Sequence, residues 1–113
     1  MARPAAGDKI LVLKERWLRL LLSGEKTLEI RGAPFKGGRY FLGCKSIVWG
    51  VATFGDPVEL GLEEFRARQH QHLVEADNLP YKKTFGMPVL TVRALPQHPY
   101  THPRGAIGIV KAR

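Results

Sequence analysis

Twelve glycines and eight prolines are scattered through 113 residues, and they cut the chain into short regular pieces. Glycine weakens helix and strand interiors, and proline removes a backbone N–H and fixes φ. Such breaks predict short helices and strands, so the short apolar runs that remain are expected to decide the fold. Residues 9–14 form a β-branched run that reads as a strand. From residue 15 the period changes: Trp17, Leu18, Leu21 and Leu22 fall at helical spacing, and Gly24 is placed to end the helix. After Gly24 the period becomes two. Thr27, Glu29 and Arg31 alternate with Leu28 and Ile30, as on a strand with one polar and one apolar face.

Further along, residues 39–44, 47–54, 87–95 and 106–111 read as strands. The 47–54 run is nearly all apolar, which predicts a strand covered on both faces. Residues 62–72 read as a second helix, acidic at the start and basic later, as the helix dipole favours. Residues 97–104 hold two prolines, Pro99 and Pro103, and read as a loop. The expected architecture is mainly β with two helices (α+β), a small mixed barrel of about six strands, or else a two-layer sandwich. At this length one core is expected: residues 1–8 as a flexible tail and 9–113 as a single domain.

The charge balance bears on partners. Eighteen Lys and Arg against ten Asp and Glu give +8. Residues 1–55 and 78–113 each carry +6, and 56–77 carry −4. A positive surface with an acidic interruption fits a polyanion or phosphate-bearing ligand. Cys44 is the single cysteine, so no internal disulfide can form and a reducing, cytoplasmic or nuclear setting is expected. No apolar run approaches the ~20 residues of a membrane span, and no apolar leader opens the chain. His70 and His72 would diverge on a helix, and Pro99 interrupts His98 and His102. Neither a metal site nor a cofactor is expected.

The candidate site is the polar strand face and its approach. Lys26, Thr27, Glu29 and Arg31 place a carboxylate between cations. A cleft holding such a set can accept hydrogen bonds from a base edge and attract phosphate; on an open strand face the same charges would stabilise little. Tyr81, Lys82 and Lys83 combine an aromatic ring with cations, the pairing that suits single-stranded nucleic acid, and are expected at the second edge of the groove. Trp17, Phe41, Trp49, Phe54 and Phe65 are expected in the core.

Trp17, Leu21, Leu22, Gly24, Lys26, Thr27, Glu29 and Arg31, at their observed spacing, resemble the signature of ASCH domains, a β-barrel family related to PUA RNA-binding domains. More loosely, residues 81–86 resemble the stretch before that family's fifth strand and 103–108 its closing strand, with Met87 and Ile109 where an aromatic residue often stands. The resemblance implies a PUA-like barrel, with a cleft beside the first helix that recognises RNA or a modified nucleoside. In this reading Thr27, Arg31, Tyr81, Lys82 and Lys83 bind, the partner is RNA or a nucleoside, and the chain is expected to be monomeric. Part of the family resembles amidohydrolases acting on acetylated cytidine, which implies an alternative with Lys26 as activating base and Glu29 beside it as catalytic residues. Glu29 stands here where that branch carries a nucleophilic Thr, and no second-helix acid matches. A ribonuclease acting on single-stranded RNA is the other enzymatic possibility.

Overall fold

The computed structural model describes residues 3–106 and 108–113. The chain runs β1 (Lys9–Val12), α1 (Glu15–Leu22), β2 (Leu28–Arg31), β3 (Gly38–Cys44), β4 (Ile47–Phe54), β5 (Val58–Leu60), α2 (Leu62–Ala67), α3 (Gln69–His72), β6 (Thr84–Pro99) and β7 (Ile109–Lys111). The strands follow the order β2-β6-β4-β3-β1-β7, with β5 added to β6. Only β1 and β3 pair parallel among these strands; the other pairs are antiparallel. The sheet curls into a half-barrel with short helices, a mainly β α+β architecture.

The core lies inside the curl. Leu18 and Leu21 of α1 pack against Leu11, Leu42, Ala52, Phe54 and Met87. Gly50 of β4 makes this close approach possible, because a Cβ there would stand 2.7 Å from Leu22 Cδ2 and from the Arg93 carbonyl oxygen. A second cluster on the opposite sheet face joins Ile10, Phe41, Val48 and Val110. A third, under α2 and α3, joins Leu28, Ile30, Leu60 and Phe65.

Several elements differ from the sequence expectation. The 62–72 helix is two short helices, broken at Arg68, whose φ of −102° and ψ of 16° leave the helical region. The break seats the His72 ring on the Phe65 ring, 4.2 Å between centroids and 13° apart. β5 was not expected; three residues carry too little pattern to be seen. β6 runs 16 residues, well past the expected 87–95 and into the expected loop. It does so by serving two partners: its first part pairs with β2 and β5, its remainder with β4. Pro96 falls where the register shifts between Ala94 and His98, so its missing N–H breaks no ladder pair. β4 alternates between buried and half-buried residues rather than being fully covered on both faces. Residues 5–8, expected in a flexible tail, form a turn bound to the chain end: Gly7 N–H donates to Ala112 O and Ala112 N–H to Asp8 O, both at 2.8 Å. Of that expected tail, Met1 and Ala2 lie outside the described residues, as does Ile107 of the expected 106–111 strand, which is observed from Ile109 onward.

Candidate functional site

Ser23 closes α1 and Gly24 follows in a left-handed conformation, φ +82°. The chain then turns back on the helix, and Lys26 N–H donates to Leu20 O at 3.0 Å. Thr27 N–H donates to Gln71 O and Thr27 O accepts from Val89 N–H, both at 2.9 Å, so α3 and β6 grip the loop from two sides. Held this way, the Lys26 side chain points inward and is only 1% exposed.

Its ammonium group meets three partners. It donates to the His72 carbonyl oxygen at 2.5 Å. It stands 3.7 Å from Glu29 Oε1. It lies over the Trp17 ring, 4.5 Å from the centroid, where the quadrupole attracts a cation. Glu29 is also buried, 3% exposed. Its second oxygen accepts from Arg31 Nε at 2.9 Å. Arg31 reaches on to Val12 O with Nη2 at 3.3 Å. Glu29 and Arg31 lie two apart on β2, the spacing that puts both side chains on one face.

Burial pushes the Lys26 amine below its ordinary pKa, because removing water penalises the ammonium. Glu29 works against this, and Arg31 and Arg16 add to it. His72 is fully buried, and burial likewise pushes its imidazole down. Its Nδ1 accepts from Val74 N–H at 2.9 Å, so the ring proton sits on Nε2, which donates to Phe65 O at 2.7 Å.

Trp17, Lys26, Glu29 and Arg31 border a cavity of about 750 Å³, the size of small-molecule sites. Lys26, Glu29 and Arg31 supply its charge, and Leu13, Trp17, Pro80 and Tyr81 are among its apolar walls. Tyr81 is 47% exposed at the border. The structure therefore brings together Lys26, Glu29, Arg31 and Tyr81. It does not bring Thr27, Lys82 or Lys83 to the cavity; all three are exposed and line no part of it. Thr27 precedes the strand, which starts at Leu28, so the period-two argument does not reach it. Trp17 was expected purely as core; it is half-buried and serves as both core and cavity wall. Its helical spacing with Leu21 gave no hint of the second role. The sequence spacing of His72 bears only on metal ligation, whereas its contribution here is a backbone carbonyl, which no side-chain pattern can announce. Among the described residues no group of three or more His, Cys, Asp or Glu could hold a metal ion. None of their helices is long and apolar enough to cross a membrane.

A curled α+β half-barrel with a charged pocket against its first helix is the class these features define. Solved structures of the same architecture are ASCH proteins from Zymomonas mobilis. A serine-to-alanine variant matches with a TM-score of 0.73 at 14% identity, over 98% of this chain and 92% of that one. The parent protein matches with a TM-score of 0.72 at 13% identity, over 95% and 88%. A tyrosine-to-phenylalanine variant matches with a TM-score of 0.72 at 14% identity, over 95% and 91%. The chain thus has an ASCH-like fold. No protein-family model and no curated protein matches it.

Proposed function

We propose that this chain binds a nucleoside, free or within an RNA strand, in the cavity beside α1. The observation that carries this reading is the buried carboxylate of Glu29 held between Lys26 and Arg31 at the border of that cavity. An ammonium has three N–H donors, and the His72 carbonyl uses one. Glu29 Oε1 is beyond hydrogen-bond length from Lys26 and keeps its lone pairs for another donor. An amino-bearing base edge fits this set: its N–H would donate to Glu29 and its ring nitrogen or carbonyl would accept from Lys26. Tyr81 offers the exposed aromatic face on which a base stacks. The ASCH-like fold and the net charge of +8 support an RNA-related ligand.

The test is a fluorescence titration of the full chain with cytidine, acetylated cytidine and uridine. Cytidine is expected to bind, and uridine more weakly because a carbonyl replaces its amino group. Arg31→Ala is expected to weaken binding tenfold or more, the order of a lost hydrogen bond to a charged group. Equal affinity for cytidine and uridine, or an unchanged Arg31→Ala, defeats the reading.

A second reading is a small hydrolase acting on an acylated nucleoside or on RNA. The depressed Lys26 pKa favours it, since an amine closer to neutrality is a better general base. Thr27 is exposed and away from the cavity, so this chain offers no hydroxyl nucleophile on the strand beside Lys26. An attacking water is the remaining acyl acceptor. Incubation with acetylated cytidine and with labelled single-stranded RNA decides between the readings: turnover abolished by Lys26→Ala establishes the hydrolase, and binding without turnover the module.

A further inference from the structure

The outer face of the sheet carries a second concavity, of about 320 Å³, lined by Arg39, Val51, Thr53, Thr91 and Arg93 with the backbone around them. Its residues come from three adjacent strands in register. Arg39 of β3 pairs with Thr53 of β4, which pairs with Thr91 of β6. One step along, Phe41 pairs with Val51 and Val51 with Arg93. Thr53 and Thr91 are therefore cross-strand neighbours, with Arg39 beside Thr53 and Arg93 two residues along β6 from Thr91; the two arginines stand on strands about 10 Å apart across β4. No carboxylate lines the groove.

Both arginines are exposed. Arg39 lies over the buried Phe41 ring, 4.9 Å from its centroid, which limits its swing and holds the fork above the groove. Its carboxylate contact is Asp8, at 3.9 Å, which neutralises little. Arg93 has no ion pair among the described residues. Planar guanidinium groups flanking hydroxyl donors match the tetrahedral oxyanions of a phosphodiester.

We infer that this face is a second contact for RNA, binding the sugar-phosphate backbone of a single strand through Arg39, Arg93, Thr53 and Thr91. It reads no base, because nothing in the groove presents a carboxylate, an amide or an open aromatic face. The inference is independent of what the cavity beside α1 binds.

The experiment measures binding of a fluorescent oligouridylate to the full chain as salt is varied. The comparison is between the parent, Arg39→Ala/Arg93→Ala, and Arg19→Ala/Lys36→Ala, which removes the same charge from exposed positions elsewhere. The groove variant is expected to bind at least tenfold more weakly, with its slope of log affinity against log salt reduced by about 1.4, two phosphate contacts on a single strand. The control variant is expected to lose less in both readouts. Equal losses in the two variants, or an unchanged slope in the groove variant, overturn the inference. Cytidine titration of the groove variant separates the two sites: it is expected to match the parent, whereas failure of the cavity reading removes cytidine binding from every protein tested and leaves the oligouridylate result standing.

Discussion

The ammonium of Lys26 is anchored to the main chain of His72, 46 residues away, through a 2.5 Å hydrogen bond to its carbonyl oxygen. The His72 ring fixes that carbonyl in turn, because both its nitrogens are engaged by backbone at Phe65 and Val74. Leu73 follows with φ +61°, turning the chain sharply just past this contact. The position of the cavity's buried cation thus depends on how a helix end is tied down.

His72 gives the fold an acid-sensitive joint. Burial holds its folded pKa below the ordinary 6.5, so the unfolded chain binds the extra proton first. Stability is then full above pH 6.5 and falls as pH drops through that value towards the folded pKa, by at most about 1.4 kcal/mol per pH unit. Urea midpoints measured from neutrality down to about pH 5 should decline for the parent. The same profile should flatten in His72→Gln, which carries no proton to gain. A parent profile as flat as the variant's would refute the assignment.

Glu29 and Lys26 should respond unequally to neutralisation. Glu29→Gln leaves two cations facing each other around a neutral amide, and loss of one partner from a buried charge cluster costs about 3 kcal/mol. It also removes the one influence from a charged neighbour that raises the Lys26 pKa, so that amine should titrate lower still, a shift readable by carbon NMR of its ε-methylene. Lys26→Met instead removes a charge whose burial is unfavourable and leaves Glu29 paired with Arg31. Its unfolding free energy should lie within about 1 kcal/mol of the parent or above it, while cytidine binding is lost. A Lys26→Met chain that is less stable than Glu29→Gln would reverse this ranking.

Gly32 sets the place of Tyr81. A Cβ at Gly32 would stand 2.7 Å from Tyr81 Cδ1 and 2.8 Å from Cγ, so Gly32→Ala must displace the ring. Because Tyr81 is half exposed and can yield, the stability loss should stay near 1 kcal/mol, at the low end for overpacking. Ligand affinity should fall to that of Tyr81→Ala, and the double variant should be no weaker than either single one. Additive losses in that double-mutant cycle would separate the two residues.

Short-range patterning made part of this protein readable. The change of period around Gly24 marks the end of α1, and the two-residue spacing of Glu29 and Arg31 puts them together on β2 whatever the rest of the chain does. The mixed β architecture was legible too, because Gly and Pro divide the sequence into several short apolar runs of strand character. The reach of β6 was not, since a strand that changes partners midway keeps hydrogen bonding beyond its apolar run.

Tertiary structure decided the rest of the pocket. Thr27 lies next to Lys26 in the chain, yet one is exposed and the other is 1% exposed. Only packing of α3 and β6 against the loop separates them. The cavity joins Trp17, the 26–31 segment and Tyr81, and the lysine's strongest contact is a peptide carbonyl. Periodicity tells which side of an element a residue takes, because that follows from local backbone geometry. Burial and main-chain contacts follow from how distant segments pack, and a carbonyl group is the same at every position of the sequence.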